Sequence, residues 1–132
     1  MQVAAPVQCT VFKHGSLVVL ARVLGYGAAA ITQATVQSIA YTVYLLDPHD
    51  PDVATAVEDH SAVAIDKAAA VFDVLQTDAM WTVDSTGYNF RHTLDVLTND
   101  AFTIAGRKYR IEIVITPVSG QLIRLRFEPD VL

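Results

Sequence analysis

The chain has 132 residues, of which 17% are charged and 52% hydrophobic, and a formal net charge of −5. That length fits one domain, residues 1–132, with a sizeable core; the acidic balance, without interleaved basic and aromatic residues, excludes nucleic acid as the main partner. The longest apolar run, residues 17–24, is broken by Arg22 and is far short of the ~20 residues of a membrane helix, and the lone Cys9 excludes a disulfide framework.

No positive charge precedes Lys13 and no cleavage-type pattern is present, so the expectation is cytoplasmic synthesis without export or membrane contact. Charge is unevenly placed. Between Asp47 and Asp100 eleven acids face only Lys67 and Arg91, whereas the flanks carry seven Lys or Arg against Glu112, Glu128 and Asp130. Such regions suit complementary surfaces on neighbouring copies; the plainer reading is two solvated faces.

Val7 to Lys13 alternates apolar Val7, Cys9 and Val11 with Gln8 and Thr10, which predicts a first strand with Cys9 as a small apolar filler. His14-Gly15-Ser16 ends it, and Leu17 to Leu24 reads as a second strand. Gly25-Tyr26-Gly27 is a turn. Thr35 to Leu46 alternates again, with Ile39, Tyr41, Val43 and Leu45 on one face. Asp47 to His60 is a polar, proline-bearing loop, and Ala62 to Ile65 is a short strand.

The period then changes. Ala68, Val71, Phe72 and Leu75 fall at helical spacing with Asp66 as N-cap, predicting one short helix over about 68–76. Trp81-Thr82-Val83 and Tyr88-Asn89-Phe90 flank the loop Asp84–Gly87. That spacing predicts a hairpin with Val83 opposite Tyr88 and Trp81 opposite Phe90.

The clearest pattern closes the chain. Tyr109, Ile111, Ile113 and Ile115 share one face of a strand, and Ile123, Leu125 and Phe127 share one face of the next. In a hairpin the two apolar faces must coincide, which fixes the parity of the register. A three-residue loop, Val118-Ser119-Gly120, sets Ile115 opposite Ile123, Ile113 opposite Leu125 and Ile111 opposite Phe127, with Gly120 left-handed. The same register sets Glu112 across from Arg126 and Arg110 across from Glu128.

Many short strands separated by turn signals predict a mostly β, antiparallel sandwich. Gly106-x-x-Tyr109-x-Ile111, opening the penultimate strand, resembles the tyrosine corner of immunoglobulin-like sandwiches. That resemblance implies a Tyr109 hydroxyl bonded to backbone a few residues upstream, Ile111 in the place of the second disulfide cysteine, and Trp81 as core tryptophan. The missing cysteine pair and the helix depart from antibody-type domains. With few charges and no export segment, the chain is similar to small tailed-phage virion proteins of the tail, neck or baseplate. This implies a protein incorporated into a particle.

Gly25-Tyr26-Gly27-Ala28-Ala29-Ala30 follows an apolar strand and fits G-x-G-x-x-[GA], with Asp47 at the spacing of a ribose-binding acid. A nucleotide site there needs residues 31–40 to be a helix, and that β-branched stretch is a mediocre helix former; a glycine-rich turn between strands is the plainer reading. Asp47, His49, Asp50 and Asp52, near Glu58, Asp59 and His60, have the oxygen-rich chemistry of a divalent-cation site but no established ligand spacing. His92, between Phe90 and Leu94 on one face, reads as a buried histidine bonded to backbone. Arg107, Lys108, Arg110, Arg124 and Arg126 form a basic strip that either meets a partner or is the wet side of a sheet.

No nucleophile–base spacing is present, so no catalytic residue and no cofactor are expected. The expectation is a non-enzymatic structural subunit whose partners are copies of itself or neighbouring assembly proteins. Two alternatives stand beside it. One is a small nucleotide- or metal-dependent enzyme using Gly25–Asp47 or the acidic loop; the other is an adhesion or carbohydrate-binding module.

Overall fold

A computed structural model describes residues 2–3, 7–50, 52–94 and 99–132. In chain order the strands are β1 (Gln2–Val3), β2 (Val7–Val11), β3 (Leu17–Ala21), β4 (Val36–Leu46), β5 (Ala54–Ala56) and β6 (Val63–Ile65). The single-turn helix α1 (Lys67–Ala70) comes next, then β7 (Val71–Gln76), β8 (Tyr88–Leu94), β9 (Tyr109–Pro117) and β10 (Ile123–Val131). One sheet runs β1-β10-β9-β4-β5, with β2 also on β10 and β6 also on β4; the other runs β3-β8-β7. The sheets enclose a core from both inner faces, including Tyr41, Val43, Phe90, Leu94, Ile111, Ile113 and Phe127. The fold is a mostly β, antiparallel-dominated sandwich with one short helix, as the turn spacing predicts.

The closing hairpin has the register derived from parity: Ile115 faces Ile123, Ile113 faces Leu125 and Ile111 faces Phe127. Gly120 is left-handed, with φ 105°. The loop opens wider than the three residues predicted. Pro117 has no N–H to bond across the hairpin, and the Val118 N–H donates instead to the Thr35 carbonyl at 2.9 Å, beside the start of β4. Pro117 itself pairs with Val36.

At the other end of β9, Gly106 takes φ 80° and Tyr109 is buried. The Tyr109 hydroxyl accepts from the Ile104 N–H at 3.2 Å, and the ring packs edge-on against Phe102 at 5.4 Å. Sequence and structure agree on this link. Tyr109→Phe keeps the packing and removes the acceptor, so it is expected to cost about 1 kcal/mol, read as a denaturation midpoint shift at unchanged m-value.

Three predicted elements are corrected. The helix over 68–76 stops at Ala70. Asp66 caps it as expected, accepting from the Ala68 N–H at 3.0 Å, but the chain then enters β7, where Val71 pairs with Phe90. Three alanines support a turn, whereas Val71, Phe72 and Val74 favour a strand once a partner edge is present. The hairpin of Trp81–Val83 with Tyr88–Phe90 does not form. Tyr88 faces Gln76 instead, and residues 81–83 are a loop. Gly87 sits where that strand pair closes, with φ +104° and an added Cβ only 2.4 Å from the Gln76 carbonyl oxygen, so glycine is required there.

The third correction is the polar stretch 47–60. It contains β5, which pairs with Leu46–Tyr44 of β4, and it ends in a buried His60. The carbonyl of Asn99 can only accept, so His60 Nε2 donates to it at 2.9 Å; in the neutral ring Nδ1 accepts from the Tyr41 hydroxyl at 3.0 Å. Trp81 is not in the core; the buried aromatics of the strands include Tyr41 on β4, Tyr88 and Phe90 on β8, and Tyr109 on β9.

Candidate interaction surface

On one side of the sandwich the outer strand of each sheet, β2 and β3, borders an open groove. Val7, Leu20, Trp81, Val83, Leu125 and Phe127 line it, in two adjoining concavities of about 210 Å³ and about 300 Å³. Its apolar side chains reach solvent: Val7 is 51% exposed, Met80 48% and Val83 73%. Exposed apolar residues are ordinary singly; grouped in a concavity they mark a contact surface.

Two aspartates shape the loop that presents Trp81. Asp78 accepts from the Met80 N–H at 3.1 Å and from the Tyr88 hydroxyl at 2.6 Å. Asp84 accepts from the Trp81 indole N–H at 2.9 Å, from Arg22 at 2.8 Å, and from the Thr86 and Gly87 N–H groups at 3.0 and 3.1 Å. The indole, the Gly87 amide and Arg22 hold the Asp84 carboxyl far below the usual carboxylate range. A depressed folded value means this contribution is present above the unfolded pKa of about 3.9 and is lost as pH falls below it. The melting temperature, followed by emission from Trp81, the one tryptophan in the chain, is therefore expected to fall as pH drops below about 4. In Asp84→Asn that fall should be less steep.

The basic strip is largely neutralised. Glu112 accepts from Arg124 at 2.6 Å and Arg126 at 3.1 Å, and Glu128 pairs with Arg110 at 3.0 Å. Lys108 bridges Gln8 on β2 at 2.7 Å and Asp130 at 3.2 Å. Arg107 turns to the Leu46 carbonyl at 2.8 Å. Burial alone would raise Glu128, but hydrogen bonds from Gln8 and Arg110 outweigh it and leave its carboxyl below the usual range. The predicted Glu112–Arg126 and Arg110–Glu128 pairs are present.

Gly25–Ala30 forms a closed turn rather than a phosphate cradle. Tyr26–Ala28 is one 3₁₀ turn with Gly27 at φ 75°, and the Gly25 N–H donates to the Ala29 carbonyl at 2.7 Å. The chain continues through a second 3₁₀ turn at Gln33–Thr35 into β4, so no helix N-terminus faces the glycine turn as a dinucleotide fold requires. An open cavity of about 340 Å³ beside it is lined by small and apolar groups including Ala29, Ile31, Ala34 and Pro117.

Two carboxylates of the acidic loop, those of Asp47 and Asp50, are taken up by its own backbone. Asp47 accepts from the His49 and Asp50 N–H groups at 2.8 and 3.1 Å, and Asp50 accepts from the Asp52 N–H at 3.1 Å. His60 is turned into the core, away from Asp47, His49, Asp50 and Asp52. Among the described residues no group of three or more His, Cys, Asp or Glu side chains is placed to hold a metal ion.

His92 departs from its expected role. Its ring packs on Tyr41 at 4.8 Å, and its buried Nε2 has no hydrogen-bond partner among the described residues. Burial pushes the imidazole below the usual histidine value. With the folded value depressed, stability is full above the unfolded pKa of about 6.5 and falls as pH drops below it. The melting temperature is therefore expected to decline on going from pH 7.5 to 5.5, and less steeply in His92→Leu. Cys9 is half-buried on β2, beside the groove, and burial raises its thiol.

Two residues central to this geometry carry no signal in the sequence. His60 closes a run of acids that reads as solvated loop. Asn89, between Tyr88 and Phe90, reads as the wet side of a strand, yet it is buried and binds both main-chain groups of Val23. No helix among the described residues is long and apolar enough to cross a membrane. No family model, curated protein or solved structure matches the chain.

Proposed function

We propose that this chain is a non-enzymatic structural subunit that works by association within a larger protein assembly. The observation that carries the reading is the apolar groove between β2 and β3, with Val7, Met80 and Val83 open to solvent around a half-buried Trp81. A domain with so few charges and a presented apolar concavity is suited to bury that surface against protein.

A finer reading makes the sandwich immunoglobulin-like. In its favour are the grouping of β3, β8 and β7 in one sheet and β4, β9 and β10 in the other, and the hydroxyl link from Tyr109 to Ile104. The N-terminal strands depart from the constant-type pattern, since they join β10 rather than β3. Assignment to a tailed-phage particle, as a tail, neck, baseplate or decoration protein, is supported by the composition and the tyrosine-corner hairpin.

Trp81 provides the test. As concentration rises from micromolar to millimolar, its emission should shift to the blue and its quenching by acrylamide should fall. Val83→Asp, at an exposed position, should keep the fold and abolish both changes. Quenching that stays constant across the range would remove the groove as the contact surface.

A further inference from the structure

One edge of the larger sheet is shared by β1 and β2, both on β10, and the other by β6 and β5, both on β4. At these edges β2 and β5 each turn main-chain groups outward. The Val11 carbonyl accepts from the Leu132 N–H at 2.8 Å, and the Lys13 N–H donates to the Leu132 carbonyl at 3.0 Å. The odd-numbered residues of β2 therefore bond β10, and the main-chain groups of Gln8 and Thr10 point away. On β5, bonds from Val57 N–H to Val43 at 2.8 Å and from Asp47 N–H to Val53 at 2.9 Å set the alternation. Thr55 faces Leu45, and the main-chain groups of Ala54 and Ala56 point away. Among the described residues these outward groups meet no other strand.

Apart from the shortness of β5, three residues, neither strand carries a guard against pairing. β2 reads Val-Gln-Cys-Thr-Val and β5 reads Ala-Thr-Ala; neither has a charge or a proline, and neither register shifts at a bulge. The surroundings differ in sign. Exposed Asp50, Asp52, Glu58 and Asp59 flank β5. Lys13 lies just beyond β2, Lys108 reaches across to Gln8, and on β10 Arg124 and Arg126 share the one carboxylate of Glu112, so positive charge is in excess at this end.

We infer that the two edges pair with each other between copies: β5 of one copy adds to β2 of the next, continuing the larger sheet across the contact. This rests on the assembly reading and names its partner, a second copy of this chain. The main-chain ladder supplies the attachment, and the opposed charges select the orientation. Because the two edges differ, the contact is heterologous, and the copies close into a ring or extend as a filament.

The test blocks one edge at a time. Thr10→Pro and Ala56→Pro each remove one outward N–H and leave the bonds to β10 and β4 in place. Light scattering on the wild type should give masses above the dimer, each variant alone should be monomeric, and an equimolar mixture should give a dimer and nothing larger. Hydrogen exchange on the wild type decides the matter even if a proline variant unfolds: the amides of Gln8, Thr10, Ala54 and Ala56 should gain protection as mass rises. Wild-type assembly without that protection, or folded variants that assemble as the wild type does, would overturn the edge pairing and leave the assembly reading standing. A wild type monomeric at millimolar concentration would overturn both.

Discussion

Asn89→Ala is expected to cost about 1–3 kcal/mol and to lower the melting temperature by roughly 5–10 °C. The Asn89 side chain is buried on β8. Its Oδ1 accepts from the Val23 N–H at 2.7 Å, and its Nδ2 donates to the Val23 carbonyl at 2.9 Å and more weakly to Ile31 at 3.4 Å. Alanine leaves the N–H of Val23, itself in the core, without a partner, whereas the Val23 carbonyl still accepts from the Ile31 N–H at 3.2 Å. An orphaned buried donor or acceptor costs about 1–3 kcal/mol, more than a typical hydrogen bond contributes. The loss should be local in origin, loosening the Gly25 turn that Asn89 clamps to the smaller sheet. A midpoint within about 0.5 kcal/mol of the wild type would mean that the clamp is replaced by solvent.

The second large effect concerns two neighbours on β9. Ile113 is fully buried between Tyr41 and Leu125, and Ile113→Ala is expected to cost about 2–5 kcal/mol through lost burial and a residual cavity. Val114 points to the opposite face and is half-buried beside Ala40 and Arg124. Val114→Ala should cost less than about 1 kcal/mol, the range of substitutions away from core features. The ratio is the informative quantity, because a one-residue slip of β9 would exchange the two costs. Chemical denaturation of the two variants, compared at equal m-value, checks it.

What the sequence makes legible is local. The register of the final hairpin follows from parity because its two strands are adjacent in the chain and both have one apolar face. The pairing of β3 with β8 and of β2 with β10 joins distant segments whose alternation fits many partners equally well. Helical spacing at Ala68, Val71 and Phe72 is satisfied by a strand, because the β8 edge lies beside Val71. The groove is hidden in the sequence for a related reason. Trp81 and Val83 alternate as a strand would, but the Trp81 N–H turns back to the Asp78 carbonyl at 3.1 Å, and Asp84 draws the indole and the Gly87 N–H together into a loop. The neutralisation of the basic strip is partly legible: parity sets Glu112 across from Arg126 and Arg110 across from Glu128, whereas the second arginine on Glu112, Arg124, reaches it diagonally.

Sedimentation velocity across a concentration series puts association, on which the functional reading depends, to its most direct trial. The weight-average mass of the wild type is predicted to rise above the monomer and continue past the dimer. Added salt should weaken the rise, because opposed charged surfaces are screened. A single boundary at monomer mass from micromolar to millimolar concentration would contradict the account.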